Sequence, residues 1–162
     1  MLKGLRWLYL SAAVLALDQG TKDIAAAKLQ LYESVEVLPS LNFTLLHNTG
    51  AAFSIFADAS GWQRWFFTAL AVAVGIAIVI WLARTPATAR WMPCALALVL
   101  GGTLGNLYDR LTLGHVIDFI DVYYRDYHWP AFNIADSAIT CGAVMLIIDA
   151  VWFDKNKSRT ED

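Results

Sequence analysis

Trp65–Ala83 reads WFFTALAVAVGIAIVIWLA, an uncharged run bracketed by Arg64 and Arg84. Its length, at about 1.5 Å per helical residue, spans roughly 28 Å, close to the hydrocarbon thickness of a bilayer. A second uncharged run, Trp91–Tyr108, follows across Arg84-Thr-Pro-Ala-Thr-Ala-Arg90, a short basic turn in which proline stops the helix. Gly101, Gly102 and Gly105 near its far end suggest close packing against another helix. Ile134–Phe153 is a further apolar run, with Asp136 at its start and Asp149, expected to reach the inner interface, near its end.

Met1–Ile24 opens with Lys3 and Arg6 and is apolar from Leu8 to Leu17. A charged start and a short apolar core also describe a cleaved secretory signal. Against that alternative, no clean small-x-small cleavage site precedes a mature segment, and Asp18-Gln-Gly-Thr-Lys22 reads as a functional helix end. The segment reads as a first transmembrane helix. The expected fold class is an integral membrane protein, mainly α, with four transmembrane helices at 7-25, 65-83, 91-109 and 135-153 in a single membrane-embedded domain, 1-162.

Composition agrees. Of 162 residues, 58% are hydrophobic and 16% charged, and the mean hydropathy is +0.50. Soluble domains carry about 45–50% apolar and about 25% charged residues. A net charge of −2 offers nothing to nucleic acid, and 7 Trp, 6 Tyr and 8 Phe suit interfacial belts. Cys94 and Cys141 fall near opposite ends of the expected helices, beyond the roughly 7 Å that a disulfide spans between Cα atoms. Both are read as packing residues.

Two polar segments separate the spans. Within 29-61, Leu41-Asn42-Phe43-Thr44-Leu45 alternates with the period of a half-buried strand, and Val35-Glu36-Val37 is its expected partner across Leu38-Pro39-Ser40. This predicts a small outward-facing β-sheet segment lying on the membrane. The segment 110-134 is expected to be an interfacial outer loop or helix. Lys3, Arg6, Arg84, Arg90, Lys155, Lys157 and Arg159 fall on one side, which places both termini in the cytoplasm and the two polar segments together outside.

Carboxylates supply the candidate chemistry. The serines have no G-x-S-x-G context, and His47, His115 and His128 are scattered without H-E-x-x-H, so neither a nucleophilic serine nor a metal site is expected. Asp118, in Val-Ile-Asp-Phe-Ile, and Asp136, in Phe-Asn-Ile-Ala-Asp-Ser, stand apart from ready counter-charges at the rim of the membrane. Two acids held close together share a proton; the ionised one takes a proton from water while the protonated one polarises a carbonyl. For Asp136 a helix N-terminal cap is the competing structural role. Asp109 is expected to pair with Arg110 or cap a helix, and Asp18 to brace Lys22 four residues on. Asp121 and Asp126, in an aromatic interfacial run, are expected to be solvated. On residues alone, a hydrolase and a small membrane transporter or proton-conducting protein using clustered outer carboxylates both remain open. The acids lie at one rim and not through the midplane, where transport sites lie, which weighs against transport.

Five motifs together extend the reading: Asp18-Gln-x-x-Lys22, Asn48-Thr-Gly-Ala-Ala-Phe-Ser54, Gly105-Asn-Leu-Tyr-Asp-Arg110, Val116-Ile-Asp-Phe119 and Phe132-Asn-Ile-Ala-Asp-Ser137. In order and spacing, over nearly the whole chain, the sequence resembles the bacterial lipoprotein signal peptidase (signal peptidase II) family of aspartic membrane peptidases. The resemblance implies a multi-pass protein of the bacterial inner membrane with its active site near the periplasmic face. It implies removal of the signal peptide of diacylglyceryl-modified prolipoproteins, cut before the lipidated cysteine, with no metal or cofactor. Asp118 and Asp136 match the catalytic positions. Asn48, Asn106, Arg110 and Asn133 match positions that line or orient the substrate, and Asp18, Lys22 and Asp109 match structural ones. The expected partners are the lipid-modified precursor and membrane lipid, with the protein a monomer.

Overall fold

The computed structural model describes residues 3–50 and 61–153. Ala51-Ala52-Phe53-Ser54 of the second motif, part of the expected segment 29-61, and Lys155, Lys157 and Arg159 lie outside the described residues. A 3₁₀ turn, Lys3–Trp7, leads into α1 (Leu8–Lys28). After the hairpin strands β1 (Ser34–Leu38) and β2 (Leu41–Asn48) come α2 (Trp62–Arg84) and α3 (Trp91–Thr112). Strands β3 (Val116–Tyr124) and β4 (Tyr127–His128) precede α4 (Ile134–Ile148), which runs on into a π turn, Asp149–Phe153.

Among the described residues, three helical stretches are long and apolar enough to cross a membrane: Trp62–Arg84, Trp91–Thr112 and Ile134–Val151. α1 has the length, but Asp18, Lys22 and Asp23 fall in its second half. α3 is the central helix and packs against α4, α1 and α2. Ile78 and Leu82 of α2 meet Leu96 and Leu100 of α3 in the core. The other face of α2 leaves Trp65, Phe66, Leu70, Ile76 and Ile80 exposed, an apolar surface that calls for lipid. The glycines of α3 do what their clustering suggests. A Cβ at Gly101 would meet Val14 and the Ser11 carbonyl, one at Gly102 the Ala135 carbonyl, and one at Gly105 the Asp18 carboxylate. Cys94 and Cys141 are free thiols.

The strands form one sheet in the order β1-β2-β3-β4, antiparallel throughout. The predicted hairpin is present, with Val35 opposite Phe43 and Ser40 at φ 69° in the turn. The segment 110-134 departs from the expected interfacial loop or helix. α3 continues to Thr112, and Val116–Tyr124 is a strand. Val, Ile, Phe and Tyr fill nearly every position there and favour a pleated, half-buried surface. Acids three residues apart, Asp118 and Asp121, obscure the two-residue period because the strand carries a bulge. The N–H groups of Phe119 and Ile120 both donate to the Phe132 carbonyl, at 3.1 and 2.8 Å, so two residues oppose one. The β2 register shifts between Phe43 and Leu46 at the same level. In a regular strand Asp118 and Asp121 would point to opposite faces; across the bulge both line one cavity.

Candidate active site

The site is built over a buried ion cluster. Lys22 and Asp18 are four residues apart on α1, so they share a face, and Lys22 Nζ lies 2.8 Å from Asp18 Oδ2. The same ammonium lies 2.8 Å from Asp109 Oδ2 and donates to Asn106 Oδ1 at 3.0 Å, both on α3. Its three protons thus face three acceptors. The pairing of Asp109 with Arg110 expected from sequence is not made: neighbours in a helix point about 100° apart, and Asp109 turns inward to Lys22. Asp109 also accepts from the Ile117 N–H at 3.2 Å, fixing the start of β3. Asp18 Oδ1 accepts from the Ala135 N–H at 2.9 Å, so a carboxylate of α1 sits at the N-terminus of α4, where the helix dipole favours it. Gln19, which sequence reasoning gave no role, ties the cluster together by donating to Asp18, Asp109 and the Gly105 carbonyl. Its place beside Asp18 in the first motif was the available signal.

Asn133 joins the cluster to two further acids. It is fully buried and is the N-cap of α4. Its side chain accepts from the Asp136 N–H at 2.9 Å, and Asp136 Oδ2 accepts in return from the Asn133 N–H at 3.3 Å, a reciprocal capping box. Asn133 Nδ2 donates to Asp118 Oδ1 at 2.7 Å. Asn48 Nδ2, from the end of β2, donates to Asp118 Oδ2 at 2.9 Å, and Asn106 Nδ2 donates to Asp136 Oδ1 at 2.8 Å. Each carboxylate is therefore held on both oxygens by amide donors. The nearby ammonium is spent on Asp18 and Asp109. Arg110 bonds carbonyls instead, Gly50 at 3.3 Å and Asn106 at 3.4 Å, and stacks over the Phe67 ring at 5.3 Å.

Asp118 and Asp136 open on one cavity of about 530 Å³, with Asn48, Asn106 and Arg110 also in its wall. Ile139, Thr140 and Cys141 of α4 also line it. A second cavity of about 620 Å³ lies on the sheet side and shares Asp118 and Asn48 with the first. Burial, and next the charge of Asp136, push the Asp118 carboxyl up to about 7; the Asn48 and Asn133 hydrogen bonds and Lys22 oppose the rise without cancelling it. An acid so placed exchanges its proton near neutrality. All nine residues singled out from sequence thus fall in or directly under this site. Asp121 differs from its expectation: it is buried, not solvated, while Asp126 is exposed.

A helical protein with membrane-crossing segments, holding two amide-bound carboxylates in a shared cavity beneath a small sheet, has the equipment of a membrane-embedded hydrolase. The comparisons give the family. The family described as Signal peptidase (SPase) II matches residues 10–152, and the chain belongs to it. The lipoprotein signal peptidase of Acinetobacter baumannii (strain ATCC 17978) is 56% identical over 156 residues, covering 96% of this chain and 89% of that protein. That of Pseudomonas aeruginosa (strain PAO1) is 53% identical over 147 residues, covering 90% and 87%. A bacterial membrane enzyme solved by the in meso method at 2.3 Å resolution superimposes with a TM-score of 0.84 at 36% identity, covering 94% of this chain and 91% of that one. Family membership makes the chain a signal peptidase that removes signal peptides, and excludes the transporter reading.

Proposed function

We propose that the chain is a membrane aspartic endopeptidase that cuts diacylglyceryl-modified prolipoproteins just before the lipidated cysteine, with Asp118 and Asp136 as its catalytic pair. The observation that carries this reading is the amide bridge: Asn133 holds Asp118 through its side chain and Asp136 through its backbone, so both acids face one cavity. Near neutral pH such a pair holds one shared proton and titrates as a unit. The ionised member takes a proton from water as the oxygen attacks the scissile carbonyl carbon. The protonated member gives its proton to the carbonyl oxygen. When the tetrahedral intermediate collapses, the C–N bond breaks, the nitrogen leaves with the proton taken from water, and the hydroxyl proton returns to the pair. No metal or cofactor is needed for these steps.

Asn48, Asn106, Arg110 and Asn133 orient the acids and line the substrate's path, while Asp18, Lys22 and Asp109 brace α1, α3 and the start of α4 beneath them. The protein works as a monomeric single domain of the inner membrane. α1 supplies a fourth span, both termini are cytoplasmic, and the site lies near the periplasmic face. The apolar part of the cavity wall, with Val116, Phe132 and Ile139, admits a lipid-bearing substrate sideways from the bilayer.

The test is cleavage of a diacylated precursor by purified protein, read by gel shift. Asp118→Asn and Asp136→Asn should each lower turnover by about three orders of magnitude or more in folded protein. The double variant should cost little more, because groups acting as a unit are not additive. An unmodified precursor should be cut poorly. Robust cleavage by either single variant would remove that residue from the mechanism.

A further inference from the structure

Asp121 lies outside the proposed catalytic pair, yet its carboxylate is bonded to both neighbouring strands of the sheet. It is 7% exposed and accepts from Asn42 Nδ2 at 3.1 Å and from Thr44 Oγ1 at 3.4 Å, both on β2. His128 Nδ1 lies 2.9 and 3.0 Å from its two oxygens, from β4. One carboxylate on β3 thus ties both neighbouring strands. The tie to β4 matters because that strand is short. β4 is two residues long, pairs with β3 at Tyr123 and Tyr124, and is entered through Arg125 at φ 55°. A ribbon this short is not stable by its own ladder. The His128 ring also stacks on Tyr123, with centroids 5.2 Å apart, and the Trp129 N–H donates to the Val122 carbonyl at 2.7 Å.

The residues directly after His128 give this tie its consequence. Trp129, Pro130 and Ala131 wall both cavities that meet at Asp118. Phe132 then rejoins β3 at Ile120, and Asn133 reaches Asp118 and Asp136. The wall is a short strap pinned at its far end by the Phe132 bridge and Asn133. At its near end it is fixed by the Trp129 N–H bond to the Val122 carbonyl and, through the preceding residue, by the Asp121–His128 contact. Asp121 itself faces the sheet-side cavity and touches neither proposed catalytic acid. From this we infer that Asp121 and His128 are a positioning pair, holding the Trp129–Ala131 strap as a substrate-contacting wall of the cleft. The inference rests on the peptidase reading of Asp118 and Asp136, and adds a determinant of how substrate is held.

A wall that contacts substrate equally before and during the reaction contributes to binding without changing the chemical step. The test is therefore a separation of KM from kcat, with KM expressed as the mole fraction of a diacylated precursor in mixed micelles. His128→Phe keeps a ring for the Tyr123 stack and removes the donor; His128→Asn keeps a donor near the Nδ1 position and removes the ring. Asp121→Ala removes the acceptor. Asp121→Ala and His128→Phe should raise KM roughly tenfold, with kcat within about a factor of two. His128→Asn should return KM most of the way to wild type. The idea is overturned if kcat falls with KM unchanged, which would put Asp121 at the chemistry. It is equally overturned if both constants stay at wild type, or if His128→Asn is as impaired as His128→Phe. Asp118→Asn is run alongside. Retained turnover there defeats the peptidase pair itself, whereas its loss together with unchanged Asp121→Ala kinetics defeats the positioning role alone.

Discussion

Asp136 performs two duties that sequence reasoning sets against each other. As the third residue of α4 it returns the capping bond of Asn133 with one oxygen, and it offers the other to Asn106 in the cavity wall. The cap fixes the carboxylate's rotamer, and a fixed rotamer is what a reacting group needs. Asp118 is held differently, by two amides in a buried strand, and its raised pKa has a consequence for stability. A folded-state pKa of about 7, against an ordinary value of 3.8, means that the folded protein binds this proton more tightly than the unfolded chain. The associated stabilisation is complete below about pH 4 and is lost as pH rises through about 7. Asp118→Asn cannot ionise and escapes that loss. Its melting temperature in detergent, relative to wild type, should therefore rise between about pH 4.5 and about pH 8. A difference that stays constant over this range would show that Asp118 is not buried as an acid.

Among the elements, α2, α3 and α4 were legible because lipid demands long uncharged runs, and the hairpin was legible because Leu41–Leu45 alternates around a Pro-Ser turn. β3 was not. Its bulge at Phe119 and Ile120 breaks the alternation at the very place where Asp118 and Asp121 are turned to one cavity. The same bulge hid Asp121, whose three donors come from β2 and β4, a pairing that no local pattern reveals. Asp109 was misassigned because the adjacent Arg110 is nearer in sequence, while Lys22 is nearer in space. By contrast the α3 glycines announced their contact with α4. Gly102 carries a prediction of its own: a Cβ there would collide with the Ala135 carbonyl, in the first turn of the helix that presents Asp136. Overpacking of this kind costs about 1–3 kcal/mol. Gly102→Val should lower the melting temperature and cut turnover together by displacing α4, and Gly20→Ala, where nothing lies within 4 Å of an added Cβ, is the neutral comparison. A Gly102→Val protein with wild-type melting and turnover would mean that the two helices have room to separate.

At the scale of the whole molecule the question is how α1 sits. Its charges set it apart from the other helices, but Asp18 and Lys22 are 0% and 1% exposed, facing Asp109 and Asn106 instead of the surroundings. Tyr9, Leu17 and Ile24 are the large apolar side chains that α1 shows outward, and Asp23 and Lys28 are exposed towards its C-terminal end. Both ends of α1 are tied to known places. At its start, Arg6 donates to the Ala87 carbonyl at 2.8 Å, and Gly4 packs on the Leu82 and Thr85 carbonyls, at the turn between α2 and α3. At its finish the chain enters β1 and β2, which share a sheet with β3, and β3 lies beyond the opposite end of α3. α1 therefore runs between the same two levels as α2 and α3, which supports a fourth crossing with Asp18 and Lys22 neutralised inside the protein. The basic residues Arg6, Arg84 and Arg90 at the turn level favour the cytoplasm for that side. Single cysteines at Ser40, in the β1–β2 turn, and Thr88, in the α2–α3 turn, both exposed, separate the possibilities in a background lacking Cys94 and Cys141. A membrane-impermeant maleimide applied to spheroplasts should label Ser40→Cys at once and Thr88→Cys after permeabilisation. Labelling of both from the outside would defeat the four-span arrangement, and the reverse order would invert it, moving the carboxylate cavity to the cytoplasmic face.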